Sequence, residues 1–139
     1  MFLLDTNVVS ELRRAERAAP AVLAWARTTQ AAELFISSIT VLELERGVMQ
    51  LERRDPRQGA MLRAWLDTQV MPAFEGRVLA VDAAVARRCA AVHVPDPRPE
   101  RDGLIGATAM EHGFTLVTRN VADFQIPGLK LLNPWGSEP

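Results

Sequence analysis

The sequence has few of the residues on which several classes of protein depend. Its 139 residues include one cysteine, Cys89, so an internal disulfide is excluded and a reducing compartment is favoured. No apolar run is long enough to cross a membrane. Met1 to Asp5 lack the basic and apolar segments of a secretory signal. We therefore expect a cytoplasmic protein without a membrane partner, folded as one domain over residues 1–139.

Motifs of three familiar α/β classes are also missing. Asp5-Thr6-Asn7 follows the first predicted strand, where a nucleotide-binding domain has a glycine-rich loop. No Gly-x-Ser-x-Gly segment occurs, which argues against a serine hydrolase. A receiver domain needs paired acids after its first strand and a lysine near its fifth. Here Thr6 stands beside Asp5, and Lys130, the only lysine, lies within the last predicted strand.

Short apolar runs alternate with longer segments of helical periodicity. The predicted strands are residues 2–4, 34–36, 78–80, 115–117 and 130–132. The predicted helices are residues 6–14, 21–29, 41–53, 58–71, 83–93 and 102–112. This alternation predicts an α/β fold with three layers (α/β/α) and a mostly parallel, five-stranded sheet. In such folds the functional site lies beyond the carboxyl ends of the strands.

Acidic residues fall near these predicted strand and helix ends. Asp5 follows the first strand, Glu43 lies in the first turn of the helix after the second strand, and Asp102 opens the last helix. Asn120 and Asp123 follow the fourth strand. Because the sheet brings its carboxyl ends to one edge, we expect these side chains to lie close together.

Each acid also has a structural interpretation. Asp5, Asp102 and Asp123 suit helix caps or Asx turns, and Thr40 with Glu43 has the spacing of a capping box. Two carboxylates about 5 Å apart, however, repel by roughly 3 kcal/mol at an effective dielectric constant near 20, so stability alone does not favour the cluster. A divalent cation removes that repulsion. Oxygen ligands without histidine or cysteine indicate Mg²⁺ or Mn²⁺, which activates water against a phosphodiester.

Four segments in order resemble the motifs of the PIN-domain family: Asp5 to Asn7, Glu43 to Gly47, Asp102 to Ala109 and Thr118 to Asn120. The ending Leu132 to Trp135 is similar to the VapC and FitB branch of toxins. The resemblance spans nearly the whole chain and implies a Rossmann-like PIN fold. It implies a Mg²⁺-dependent endoribonuclease, usually a homodimer, that is inhibited by a VapB-type antitoxin. The toxin–antitoxin complex of the family binds promoter DNA through the antitoxin.

The resemblance assigns roles by position. Asp5 and Asp102 match the main metal ligands of the family, and Glu43 matches a second acid that binds the metal directly or through water. Thr118 matches a hydroxyl residue near the site. RNA would lie across the carboxyl edge, where Glu43 orients or deprotonates the attacking water, and cleavage would leave a 5′-phosphate and a 3′-hydroxyl.

The Thr6 and Asn7 positions of the first motif are expected to position the substrate. The fourth acid of the family often stands where this chain has Asn120, so either Asn120 or Asp123 fills that place. Asn120 keeps open one alternative, a non-catalytic PIN-like interaction module. A second alternative is a PIN nuclease of RNA processing without an antitoxin, against which the small single-domain size favours the toxin.

The remaining polar and aromatic residues receive structural interpretations. Asp82 is predicted to cap a helix, and His93 to stand as a cation at a helix end. Glu45 is expected to be solvated. Gly47 is expected to meet a close contact that excludes a side chain. Trp135 is assigned to core or interface packing in preference to base stacking. The net charge of −1 predicts that RNA binding uses local contacts rather than a broad positive field.

Overall fold

Five short strands and seven helices make up the computed structural model, which describes residues 1–136. The strands are β1 (Phe2–Leu4), β2 (Leu34–Ser37), β3 (Val78–Leu79), β4 (Thr115–Val117) and β5 (Leu131–Leu132). The helices are α1 (Thr6–Glu11), α2 (Pro20–Thr28), α3 (Ser38–Arg54), α4 (Pro56–Trp65), α5 (Met71–Ala73), α6 (Ala83–Val92) and α7 (Glu100–His112). A π-helical segment, Leu66–Val70, joins α4 to α5, and 3-10 turns occupy Ala31–Glu33 and Val121–Phe124.

All five strands run parallel in the order β3-β2-β1-β4-β5, which confirms the predicted sheet. The central strand β1 pairs with β2 through Phe2 and Leu34, and with β4 through Leu4 and Val117. The strand order reverses at β1, because the chain moves outward to β3 on one side and to β5 on the other. This reversal places the carboxyl ends of β1 and β4 at the switch point where such sheets bind their ligands.

The core lies on both faces of the sheet because neighbouring residues of each strand point to opposite sides. Leu4 and Val117 pack in one buried cluster with residues of α1, α3 and the π-helical segment. Leu3 and Leu116 pack in a second cluster with Ile105 of α7. The helices therefore cover both faces, as the α/β/α prediction requires. Among residues 1–136, no helix combines the length and the apolar character needed to cross a bilayer.

Several helix ends differ from the predicted ones for local chemical reasons. Helix α3 begins at Ser38 and not at residue 41, because the Ser37 hydroxyl accepts a hydrogen bond from Ile39 N at 3.0 Å and caps the helix. Helix α7 begins at Glu100, directly after Pro99, so Asp102 lies within its first turn instead of opening it. Helix α1 ends at Glu11, earlier than predicted.

Helices α3 and α4 form a hairpin that depends on one glycine. Asp55 accepts a hydrogen bond from Gln58 N at 3.1 Å and caps α4 at its start. A Cβ atom at Gly59 would lie 2.4 Å from Glu52 Cα, so only glycine allows the two backbones to approach this closely. Glu45, expected to be solvated, instead forms an ion pair with Arg63 at 2.6 Å across the hairpin.

The expected close contact at Gly47 is absent, and that prediction was wrong: a Cβ atom there would have no neighbour within 4 Å. Gly47 and Gly59 therefore form a matched pair of helical glycines.

We expect Gly59→Ala to lower the free energy of unfolding by roughly 1–3 kcal/mol, because the added methyl group pushes the hairpin apart. We expect Gly47→Ala to raise it by about 0.5–1 kcal/mol, because alanine loses less backbone entropy in a helix. Urea denaturation of the two variants measures both effects, and a similar loss of stability in each would show that the close approach at Gly59 does not govern the hairpin.

Candidate active site

Asp5 lies at the carboxyl end of the central strand and is only 6 % exposed. Its backbone N–H donates to Val117 O at 2.9 Å, so the pairing of β1 with β4 extends one residue beyond β1. Its Oδ1 accepts a hydrogen bond from Thr6 N at 2.8 Å and caps α1. Burial raises the pKa of Asp5 above its ordinary value of 3.8, and the negative charge of Glu43 acts in the same direction.

Two side chains hold the second oxygen of Asp5. Thr118, fully buried, donates from Oγ1 to Asp5 Oδ2 at 2.8 Å, and Asn7 Nδ2 donates to the same oxygen at 3.2 Å. Asn7 Oδ1 in turn accepts from Arg119 N at 3.3 Å, which ties the loop after β4 to α1. The hydrogen bonds from Thr118, Thr6 and Asn7 lower the pKa of Asp5 and so oppose the effect of burial.

Thr6 connects Asp5 to Glu43. Its hydroxyl donates to Glu43 Oε1 at 2.7 Å and lies 3.2 Å from the hydroxyl of Thr40, which is fully buried. The predicted capping box of Thr40 and Glu43 is therefore wrong, because Ser37 already caps α3 and both residues lie inside the helix. Glu43 is in the second turn of α3, and its position in the helix directs it toward α1.

Asp102 approaches the same place from α7. Burial raises the pKa of Asp102 above its ordinary value of 3.8, and the charges of Asp5, Asp123 and Glu43 raise it further, in that order. Arg101 lowers this pKa and lies 3.6 Å from Glu43, measured from Nη1 to Oε2. The structure thus brings the predicted acids within electrostatic reach of one another. Sequence reasoning missed Arg101, whose only sequence signal is that it stands next to Asp102.

Asn120 and Asp123 border the cluster from the loop after β4. Asn120 N donates to Thr118 Oγ1 at 3.0 Å, so the backbone of this residue belongs to the Asp5 network while its side chain is exposed. Asp123 lies in the 3-10 turn, and its backbone N–H donates to Asn120 O at 3.0 Å. Asp123 is exposed, yet its charge contributes to the raised pKa of Asp102.

The chemistry of this donor set fits a hard divalent cation. Every candidate ligand is an oxygen, and the effect of neighbouring carboxylates on the pKa of Asp102 reports a repulsion that a cation would relieve. Among the described residues, no three acidic, histidine or cysteine side chains already stand together closely enough to hold an ion. Binding would therefore require rotations of the acidic side chains toward one another.

Two further predictions have a clear outcome. Asp82 accepts a hydrogen bond from Val85 N at 2.9 Å and caps α6, as predicted. His93 forms the C-cap of α6, at the helix end where the sequence places it. Its Nδ1 accepts a hydrogen bond from Arg98 N at 3.0 Å, which ties the loop before α7 to the end of α6.

Comparisons with known proteins agree on one family. The model of the PIN domain matches residues 2–125. The chain is 38 % identical to the VapC ribonuclease Y4jK of Sinorhizobium fredii, over 97 % of this chain and 98 % of that protein. It is 35 % identical to the toxin FitB of Neisseria gonorrhoeae, over 97 % of this chain and 99 % of that one. A solved structure of FitAB bound to an IR36 DNA fragment matches with a TM-score of 0.88 and 32 % identity, over 100 % of this chain and 99 % of that chain.

The raised pKa of Asp102 predicts that removal of its charge stabilises the metal-free fold. A carboxyl whose pKa is raised by folding contributes stability below its ordinary pKa of 3.8, and this contribution is lost as the pH rises through the raised pKa. At neutral pH in EDTA, Asp102→Asn should therefore unfold a few degrees above the wild-type protein. The difference should shrink as the pH falls toward 4. Thermal melts across this range measure it, with Asp96→Asn in an exposed loop as the control; a gain that does not change with pH would contradict the electrostatic cause.

Proposed function

This chain belongs to the PIN-domain family, and on that premise we propose that it is a Mg²⁺-dependent endoribonuclease and the toxin of a VapBC-type toxin–antitoxin pair. The observation that carries the proposal is the convergence of Asp5, Glu43 and Asp102, from three separate elements, at the switch point of the sheet. The names of two relatives, a VapC ribonuclease and a toxin, support the same activity and the same biological role.

Asp5, Asp102 and Glu43 would hold the Mg²⁺ ion, for which Mn²⁺ is a chemical substitute. When bound, such an ion neutralises charge on a phosphodiester and makes a bound water more acidic. Asp5 suits a fixed ligand, because donors from Thr6, Asn7 and Thr118 hold both of its oxygens in place. These donors also favour its ionised form, which is the form that binds a cation.

Glu43 is the residue proposed to orient the attacking water or accept its proton. Thr6 fixes its Oε1, so Oε2 is the acceptor that remains for the water. Arg101, 3.6 Å from Oε2, stands where a guanidinium can contact a phosphate oxygen of the RNA.

In the hydrolysis, the water oxygen bonds to phosphorus as the bond from phosphorus to the 3′-oxygen breaks. Glu43 would take a proton from the water, and the 3′-oxygen would take one from solvent, which leaves a 5′-phosphate and a 3′-hydroxyl.

The proposal also assigns partners to the chain. A VapB-type antitoxin would inhibit the nuclease, the toxin would form a homodimer, and promoter DNA would be bound only through the antitoxin. The toxin name of one relative and the FitAB complex with DNA support the antitoxin and the promoter DNA as partners. The homodimer is inferred from the family resemblance alone. A cytoplasmic location belongs to the same proposal, and the single buried cysteine suits a reducing compartment.

Cleavage of a labelled, structured RNA by the purified protein tests the activity. We expect cleavage with Mg²⁺ or Mn²⁺ and none with EDTA. Asp5→Asn and Asp102→Asn should each lower the rate by more than about 100-fold, because each removes a charged ligand of the ion. Asp96→Asn, which removes a charge in an exposed loop, should cleave as the wild-type protein does.

Each outcome of this test selects a function. Full activity in a folded Asp5→Asn or Asp102→Asn variant would refute the metal site. A folded, antitoxin-free protein that binds Mg²⁺ but cleaves no RNA would indicate a narrow RNA target. A protein that neither binds the ion nor cleaves would be the non-catalytic module. Cleavage without a neighbouring antitoxin gene would favour a role in RNA processing.

A second pair of variants decides which residue fills the fourth acidic position. We propose Asp123, because its charge reaches Asp102, whereas Asn120 carries no charge. Asp123→Asn should therefore lower the cleavage rate about tenfold and raise the Mg²⁺ concentration needed for half-maximal rate. Asn120→Ala should leave that Mg²⁺ concentration unchanged. The opposite order of effects, measured by Mg²⁺ titration of both variants, would assign the position to Asn120.

A further inference from the structure

A cavity of about 610 Å³ adjoins the acidic cluster at the carboxyl ends of β4 and β5. Its lining is mostly polar or small: Arg119, Asn120, Val121, Ala122, Asp123, Asn133 and Gly136. The volume lies within the range of pockets that hold small organic molecules, roughly 300–1,000 Å³. Nothing in the proposed hydrolysis uses this cavity, apart from the Asp123 carboxylate on its wall.

The cavity is joined to the cluster through the backbone. Asn120 N donates to Thr118 Oγ1, which donates to Asp5, so one wall of the cavity and the buried carboxylate share a hydrogen-bond network. Arg119 N donates to Asn7 in α1. A group in the cavity would therefore lie beside the proposed scissile phosphate, in a position fixed relative to the acids.

Arg119, on the wall of this cavity, lies over an aromatic ring behind it. The guanidinium carbon of Arg119 lies 5.2 Å from the centre of the Trp135 ring, within the range of a cation–π contact. Trp135 is half-buried and packs against the main core, and its backbone N–H donates to Asn133 Oδ1 at 2.9 Å. The ring is thus anchored, and it supports an exposed guanidinium. Trp135 packs as its sequence interpretation proposed, and Arg119 is the member of the pair that faces solvent.

We infer that this cavity, with Arg119 over Trp135, is a binding subsite for one unstacked nucleobase of the RNA strand, next to the bond that is cleaved. This inference rests on the proposed ribonuclease function and deepens it. Unpaired bases bind proteins by stacking on aromatic rings or on guanidinium planes, and by hydrogen bonds to their edges. Arg119 supplies the plane, and the amides of Asn120 and Asn133 supply donors and acceptors for the edge.

A cationic site for a phosphate explains this arrangement less well than a base subsite does. Asp123 lies on the same wall, so the cavity is not a purely cationic site for a phosphate. A flat cation supported by a ring, beside two amides, matches the mixed polarity of a base. The subsite would select the nucleotide next to the scissile phosphate. The acidic cluster would not distinguish between bases, because in the proposed hydrolysis it acts only at the phosphate and the water.

Binding in EDTA separates base recognition from cleavage. Fluorescence anisotropy would measure the affinity of the full chain for labelled pentaribonucleotides of each base, and for an abasic strand of the same length. We expect base-containing strands to bind more tightly than the abasic strand. Arg119→Ala should weaken the best base-containing strand by about tenfold and leave the abasic strand nearly unchanged.

Two further variants isolate the role of the guanidinium plane. Arg119→Lys keeps the charge but loses the plane, so we expect it to behave like Arg119→Ala. Arg54→Ala removes an equal charge at the far end of α3 and should bind every strand as the wild-type protein does. Wild-type affinity in Arg119→Lys, or an equal loss for the abasic strand, would overturn the subsite. Thermal melts of each variant show whether it is folded.

Cleavage of a random-sequence RNA pool in Mg²⁺ completes the test. We expect the wild-type protein to prefer one base at a fixed position beside the cut, and Arg119→Lys to lose that preference. If both cut with the same preference, the subsite is wrong and the ribonuclease stands. If the wild-type protein neither binds Mg²⁺ nor cuts any RNA but still binds bases through Arg119 in EDTA, the ribonuclease is wrong and the base-binding site stands.

Discussion

Asp5 Oδ2 accepts hydrogen bonds from both Thr118 Oγ1 and Asn7 Nδ2, and this double contact links the fold to the site. The same residue extends the pairing of β1 with β4 and caps α1. A carboxylate that is 6 % exposed would ordinarily be costly, and burial does raise its pKa. The three donors offset part of that cost. The fold therefore holds an anion at its centre through bonds that also begin its first helix.

The acidic cluster depends on the topology of the fold as well as on the local sequence around Asp5. Glu43 and Asp102 come from helices distant in the chain, and each reaches Asp5 because its helix packs against one face of the sheet. Burial raises the pKa of Asp102, and repulsion from the other carboxylates raises it further. Such a cluster works against stability, which is expected where a site has been selected for binding and not for the free energy of folding.

Alternating apolar runs and helical periodicity were sufficient to predict every strand and the parallel sheet. They failed at the ends of helices, where one side chain decides the boundary. Ser37 caps α3, which begins at Ser38, three residues before the predicted start, so Thr40 and Glu43 do not form a capping box. Gly47 and Gly59 look alike in sequence, but only Gly59 faces the backbone of a neighbouring helix. Such close approaches depend on packing between elements, which periodicity does not report.

The candidate acids could be predicted from sequence because the carboxyl ends of parallel strands meet at one edge of the sheet. The side chains that contact these acids could not be predicted in this way. The contacts of Thr6 with Glu43, and of Arg101 with the same carboxylate, arise from how α1 and α7 approach α3. The same limit applies to Arg119 and Trp135, which are 16 positions apart and meet because β5 pairs with β4. A net charge of −1 gives little long-range attraction for RNA. Selective binding of RNA by such a chain would require contacts whose strength comes from shape and stacking. A guanidinium supported by an anchored ring beside the acids would provide one such contact without adding a broad positive field.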